Sequence, residues 1–319
     1  MSLYTNVFKQ SLKATFKNKY LWLFGFFATL FGGSIELDLL NGIMTKTNVF
    51  WQASKFTNAG LFGSEFFSNL KLSALTTDLL MVVFFFLCLI IAIIVVSVVS
   101  QVGIINNSAN YIEKNDRTNI KVGIKAGMNH FWPIVVLNII TKVVVFLLLA
   151  LAFMPLVRTG GTATAGSTAL FIVLFVVVVI IVIALAFIIK YASGYIVVYA
   201  QRFREAVANG WILFKKNWLI STELGFMLFF INVFGSFAII LLIAVVAIPL
   251  AALTSFTMAF LSIKSFIIMY WIRFLISLMI FVVGGAILTT FNITAWTALF
   301  LRLNKGSGES KVMRIVSKF

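Results

Sequence analysis

Long uncharged apolar stretches alternate with short basic and polar segments along this chain of 319 residues. The clearest apolar stretches are residues 79–105, 143–157, 169–189 and 224–253. Several of them approach or exceed the roughly 20 apolar residues that a helix needs to cross the hydrocarbon core of a bilayer. The pattern therefore predicts an all-α, polytopic membrane protein.

Six membrane spans are predicted, at about residues 20–35, 79–105, 133–157, 169–199, 219–250 and 274–302. The first is marginal in length, and Gly25, Gly32 and Gly33 leave open a broken or re-entrant shape. Residues 36–77 are polar and aromatic, which favours a segment that rests on the membrane surface. Residues 251–272 are expected to fold at the outer interface.

Three basic segments precede pairs of spans, at residues 2–18, 119–130 and 200–218. In each of them apolar and basic side chains recur at helical spacing, which is typical of an amphipathic helix in the membrane interface. These helices with their following hairpins predict three repeat units of about 1–110, 111–200 and 201–302.

The repeats are also visible as a weak alignment of Ser11–Trp22 with Gly123–Ile134 and Asn209–Ile220, which places Tyr20, Trp132 and Trp218 in one column. The alternative is that any cytoplasmic junction with a membrane reads as basic and then aromatic. Residues 1–302 are predicted to be a single transmembrane domain, and 303–319 a disordered basic cytoplasmic tail.

The formal net charge is +16, and only 11% of the residues are charged while 62% are hydrophobic. The charges lie at the ends of apolar stretches, which indicates contacts with anionic lipid headgroups and disfavours nucleic acid as a partner. Lysine and arginine are concentrated in the segments on one side of the six spans. The positive-inside rule then predicts that both termini are cytoplasmic.

Residues that could support catalysis are scarce. The chain has one cysteine, Cys88, and one histidine, His130. They are too few for a disulfide or a zinc site, and the nine acidic residues show no paired spacing within a predicted span. The sequence therefore predicts no catalytic residues, no metal and no cofactor, and a protein that is not an enzyme.

Four polar residues inside predicted spans form the candidate ligand-binding site: Asn138, Lys142, Lys190 and Glu223. A charge in the hydrocarbon costs at least about 2.5–3.5 kcal/mol and is by default a functional hypothesis. One hypothesis is a polar cavity open to the cytoplasm in which Glu223 pairs with Lys142 or Lys190. The other is that the lysines extend their amines to the interface.

Two classes of function stay open on this sequence. The first is an integral membrane protein that binds or moves a small or lipidic anionic ligand through the cytoplasm-facing cavity. The second is a structural or assembly partner of another membrane protein. A membrane enzyme ranks behind both.

Three segments carry a family resemblance: "SLKATFKNKYLWLFGFFATLFGG" at residues 11–33, "FREAVANGWILFKKNW" at 203–218 and "TAWTALFLRL" at 294–303. They resemble, in the same order, an uncharacterised bacterial six-span family akin to the membrane domain attached to glycerophosphodiester phosphodiesterases. The resemblance implies six spans with interfacial helices between pairs, in a bacterial inner membrane. It implies no catalysis, because the soluble phosphodiesterase barrel is missing, and no residue roles are carried over.

Overall fold

The computed structural model describes residues 3–32, 77–115, 119–158, 165–260 and 263–306. Nine helices occupy these ranges: α1 (Leu3–Lys17), α2 (Leu21–Gly32), α3 (Thr77–Lys114), α4 (Ile120–Asn129), α5 (Phe131–Arg158), α6 (Ala165–Tyr199), α7 (Phe203–Lys216), α8 (Trp218–Phe260) and α9 (Ile263–Asn304). The expectation of an all-α fold is confirmed for this part of the chain.

Five helices in the described ranges are long and apolar enough to cross a membrane, namely α3, α5, α6, α8 and α9. The protein is therefore a multi-pass helical membrane protein. The described part of α2 has 12 residues, a length of about 18 Å, which is shorter than the hydrocarbon core. The predicted first span continues into residues 33–35, which lie outside the described residues, as do the predicted surface segment up to residue 76 and the tail from residue 307.

The expected outer-interface segment at residues 251–272 is instead mostly a continuation of two long helices. α8 runs on to Phe260 and α9 begins at Ile263. Hydroxyl groups in this stretch bond to carbonyls of their own helix: the Thr254 Oγ1 donates to Leu250 O at 3.0 Å and the Ser255 Oγ to Ala251 O at 3.1 Å. Such local bonding satisfies the polar side chains without ending the helix.

Short helices form at all three basic segments, and each packs back against a long helix. α4 packs on α3, α7 on α6, and α1 on α9 and α3. Small residues allow the close approach: a Cβ on Gly127 of α4 would lie 2.6 Å from Val99 Cγ1, and one on Gly210 of α7 would lie 3.0 Å from Ile188 O. On α1 the residues Tyr4 and Val7 are buried, so this apolar face contacts protein.

The packed core lies at the end of the molecule that carries these short helices. We call this end the basal half, and define it as α1, α2, α4 and α7 with residues 97–114 of α3, 187–199 of α6, 218–228 of α8 and 286–304 of α9. Most residues of the main apolar core belong to it.

The distal arms are residues 81–96 of α3, 229–253 of α8 and 263–285 of α9. No residue with a described side chain is buried in these three arms. The outer part of the α5–α6 hairpin is different, since Val145, Ala152, Val178 and Val182 form a small cluster of their own.

Candidate functional site

Glu223 of α8 is held by the N-terminal helix. The Tyr4 hydroxyl of α1 donates a hydrogen bond to Glu223 Oε2, and Tyr4 is only 2% exposed. Glu223 itself is half-buried. α1 therefore supplies a buried hydrogen-bond donor to the acidic residue of the candidate site.

Lys190 of α6 lies beside a cluster of aromatic side chains. Its Nζ is 4.4 Å from the ring centroid of Trp296 on α9, within the range of a cation–π interaction. Trp296 also contacts Phe187 at a centroid distance of 5.3 Å and Tyr191 at 6.3 Å. The ammonium group is therefore positioned by aromatic side chains from two helices.

A hydroxyl pair joins α6 to α8 between these two charged residues. Ser221 Oγ donates to Asn217 O at 2.8 Å, so the Tyr191 hydroxyl is the donor in its 2.6 Å bond to Ser221. One turn further along α8, a Cβ on Gly225 would lie 3.0 Å from the Phe187 ring and 3.8 Å from Trp296 Cζ2. The helices that carry Lys190 and Glu223 are thus in direct contact here.

We call this group the central polar cluster: Tyr4, Lys190, Tyr191, Ser221, Glu223 and Trp296. It draws together α1, α6, α8 and α9 in the basal half of the bundle. The pairing of Glu223 with Lys190 or Lys142 stays a prediction.

The other two candidate residues lie on α5. Asn138 Nδ2 donates to Gln101 Oε1 of α3 at 3.2 Å. Lys142 is half-buried one helical turn further along, on a helix that packs against α6 and α3. Asn138 therefore joins α5 to α3, whereas Lys190 and Glu223 join helices of the central polar cluster.

Sequence reasoning missed four members of the cluster: Tyr4, Tyr191, Ser221 and Trp296. Tyr4 reads as a membrane anchor on an apolar helix face, and Trp296 as one more aromatic in a span. The amphipathic pattern shows only that these side chains lie on an apolar face. Their contacts with Glu223 and Lys190 depend on which helix lies opposite. A second missed contact is the 3.0 Å bond from Arg302 Nη2 of α9 to Gln10 Oε1 of α1.

At the basal surface Lys305 Nζ lies 2.8 Å from Glu113 Oε1. This hydrogen bond and the negative charge of Glu113 raise the pKa of Lys305. His130 Nδ1 is 3.1 Å from Ala126 O in the last turn of α4. Within the described part of the chain, no group of three or more His, Cys, Asp or Glu residues is arranged to hold a metal ion.

Comparison with protein-family models, with curated proteins and with solved structures gives no match to this chain.

Proposed function

We propose that this protein is a non-catalytic membrane protein that binds or moves an anionic amphiphile such as a lipid. In this proposal the charged group of the ligand is recognised at the central polar cluster, and its apolar chain lies among the distal arms. The cluster faces the cytoplasm, and the protein belongs to a bacterial inner membrane.

The observation that carries the proposal is the contrast between the two ends of the bundle. Lys190, Glu223 and their aromatic and hydroxyl neighbours are concentrated in the packed basal half. The three distal arms expose apolar side chains, for example Phe234 and Ile240 of α8 and Met279 of α9. A charged headgroup attached to an acyl chain matches both parts.

We also infer a topology of six spans with both termini cytoplasmic, built from three units. The packing of α4 on α3 and of α7 on α6 supports the units, since in both cases the short helix packs on the long helix that precedes it. α1 is the first helix in the described ranges and packs on α9, the last helix in those ranges. This ring-like closure is what three equivalent units would produce. Membership of the bacterial six-span family stays a proposal.

The test is purification of the full-length protein in mild detergent, followed by lipid analysis and identification of bound proteins. We expect an anionic lipid to copurify with the parent protein and to be reduced in Lys190→Leu and Glu223→Leu. Lys142→Leu tests whether the site extends to α5. Lys305→Ala is the matched control, because it removes a basic group outside the cluster.

The lipid-binding proposal fails if the parent, Lys190→Leu and Glu223→Leu proteins are equally stable and carry the same lipid. A stoichiometric protein partner in place of lipid would favour the assembly class instead. Reporter fusions that place the two termini on opposite sides of the membrane would overturn the topology.

A further inference from the structure

Four deeply buried side chains beside the α1–α2 turn carry polar atoms that have no hydrogen-bond partner among the described residues: Thr15 Oγ1, Asn18 Nδ2, Asn107 Nδ2 and Tyr111 Oη. All four residues are at most 5% exposed. Burying a hydrogen-bonding group without a partner is unfavourable, and each case in a folded protein needs an explanation. A fifth such atom, Asn292 Oδ1 on α9, is an acceptor.

These side chains belong to elements that contact one another. Lys17 at the end of α1 places its Nζ 5.8 Å from the ring centroid of Tyr111 on α3. Asn107 lies one turn before Tyr111 and therefore on the same face of α3. Asn18 follows Lys17 directly, and Thr15 lies on the same face of α1 as Asn18.

The α2 and α4 helices close the other side. The Cβ position of Gly123 on α4 is 2.8 Å from Asn107 Nδ2 and 2.9 Å from Phe24 Cε2 on α2. Any side chain at Gly123 would therefore occupy the place beside the Asn107 amide. We call the region of Thr15, Asn18, Asn107 and Tyr111 the junction site.

The local backbone structure does not need these polar atoms. The Asn18 carbonyl accepts from the Leu21 N–H at 2.9 Å, and the Thr15 carbonyl accepts from Trp22 Nε1 at 2.9 Å. Asn107 Oδ1 accepts from Asn106 Nδ2 at 3.5 Å. The turn is held by other groups, and two amide NH₂ groups and two hydroxyls are left as donors.

The two amide groups can only donate and the two hydroxyls can donate, so together they favour a ligand that is rich in acceptor oxygens. Lys17 supplies an ammonium group at the junction site. The acidic residue near it in sequence, Glu113, is paired with Lys305. Hydrogen bonds from neutral donors to an oxyanion are strong because they are charge-assisted.

We infer that the junction site binds a phosphate-type oxyanion through Thr15, Asn18, Asn107 and Tyr111. The ligand is either the phosphate of a lipid headgroup or free inorganic phosphate, which present the same oxygens. This site involves none of the central polar cluster, so it is independent of the function proposed above.

The experiment uses the full-length protein purified in a phosphate-free, neutral detergent. Inorganic phosphate is titrated against chloride at equal ionic strength while the thermal unfolding temperature is followed. In parallel, native mass spectrometry of protein from nanodiscs compares phosphatidylglycerol with a phosphate-free glycolipid. We expect one phosphate or one phosphatidylglycerol to bind per chain.

Two variants report on the site without removing its shape. Tyr111→Phe deletes one hydroxyl and keeps the ring beside Lys17, and Asn107→Leu replaces an amide by an apolar group of similar size. Each should weaken binding about tenfold or more, as expected for loss of a hydrogen bond to a charged group. Thr141→Val is the control, because its buried hydroxyl donates to Leu137 O within α5 and its loss should leave binding unchanged.

The sign of the stability change gives a second criterion. With the ligand present, both variants should unfold at a lower temperature than the parent. An empty site predicts the reverse for Tyr111→Phe, because the change deletes a buried hydroxyl that lacks a protein partner. A site filled by water alone predicts differences in unfolding temperature that phosphate does not change. Higher unfolding temperatures together with no binding of phosphate or phosphatidylglycerol by the parent would overturn the inference.

The two sources of phosphate are separated by the two arms of the experiment. Binding of inorganic phosphate alone identifies a free anion, and retention of phosphatidylglycerol over the glycolipid identifies a headgroup. If Asn107→Leu does not fold, the titrations of the parent and of Tyr111→Phe decide the question.

Discussion

The two halves of α9 have opposite surroundings. From residue 286 to residue 303 most side chains are buried, whereas no residue with a described side chain from 263 to 285 is buried. The buried half contains Thr290, Thr294, Thr297 and several alanines, and the exposed half is rich in Phe, Ile and Met. Apolar character therefore does not decide which half packs.

The same contrast separates the two halves of α3. Its basal half contains Ser97, Ser100, Gly103, Asn107 and Ser108, and its distal arm contains large apolar residues and Cys88. Lipid tails are as apolar as leucine, so helices in a bilayer gain little from burying apolar surface against each other. Small residues that allow close approach, and hydrogen bonds between helices, supply the association instead.

Interhelical hydrogen bonds in the basal half illustrate this physical rule. Ser108 Oγ lies 2.9 Å from Thr294 Oγ1, which joins α3 to α9. The Thr290 hydroxyl lies 3.0 Å from Leu21 O of α2.

The contrast between the basal half and the distal arms leads to four predictions on stability, given from the largest expected effect to the smallest.

Truncation of an aromatic residue should lower the free energy of unfolding strongly in the basal half and little in a distal arm. Phe300 is 1% exposed and its ring contacts Tyr191 and Tyr195. Phe300→Ala should lower the free energy of unfolding by about 3–5 kcal/mol through a cavity. Phe234→Ala, at a position that is 67% exposed, is the control and should change it little. Equal losses in reversible unfolding experiments in detergent would show that both halves are packed.

Substitution of glycine by alanine should destabilise the protein at one position and stabilise it at another. A Cβ on Gly25 of α2 would lie 2.2 Å from Thr290 Oγ1 and 2.3 Å from the backbone oxygen of Ala286 on α9, whereas a Cβ on Gly285 would meet nothing within 4 Å. We expect Gly25→Ala to destabilise the protein by about 1–3 kcal/mol through overpacking. Gly285→Ala should stabilise it by about 0.5–1 kcal/mol, because alanine is the better helix former. Denaturant titration measures both, and a stabilising Gly25→Ala would contradict the close contact of α2 with α9.

Removal of the Tyr4 hydroxyl should weaken the attachment of α1 to α8. We expect Tyr4→Phe to destabilise the protein by about 0.5–2 kcal/mol, the range for a hydrogen bond between helices in a membrane. Tyr270→Phe in the distal arm of α9, where Tyr270 is 45% exposed, should have no effect. Limited proteolysis of the N-terminus should show earlier cleavage in Tyr4→Phe, and unchanged cleavage would indicate that other contacts hold α1.

Loss of the surface ion pair at the basal end should change the unfolding temperature least. Lys305→Ala removes the contact with Glu113, and exposed ion pairs contribute little. Because the pKa of Lys305 is raised in the folded protein, any contribution is present below the ordinary lysine pKa and is lost as the pH rises through the raised value. The parent and Lys305→Ala should therefore unfold at nearly the same temperature at neutral pH, and at the same temperature in strong alkali. A difference that grows with pH would contradict this assignment.

Much of the helical layout could be predicted from the hydrophobic pattern. The predicted spans at 133–157 and 169–199 agree with α5 and α6 within a few residues, and short helices stand at all three basic segments. At residues 251–272 the two long helices extend beyond the predicted spans, because hydroxyls such as that of Thr254 can bond within their own helix.

The candidate site was predicted less completely. Sequence reasoning selected Lys190 and Glu223 because charges in a span are costly. It missed Tyr4 and Trp296, because an aromatic residue carries no sign of whether lipid or another helix lies beside it. Asn107 and Tyr111 were missed for a similar reason, since their unpaired atoms are recognised only when the neighbouring side chains are known.

By itself the sequence determined that the chain is helical, that it crosses a membrane several times, and where most of the helices begin and end. These properties follow from local composition, because the cost of placing charges and unpaired backbone groups in lipid is paid residue by residue. Only the tertiary structure decided that α1 packs on α9, that the basal half is the packed one, and that four buried polar atoms beside the α1–α2 turn lack a partner among the described residues. Those features depend on contacts between residues far apart in the chain, such as Tyr4 and Glu223, and in a bilayer such contacts rest on shape and hydrogen bonding rather than on hydrophobicity.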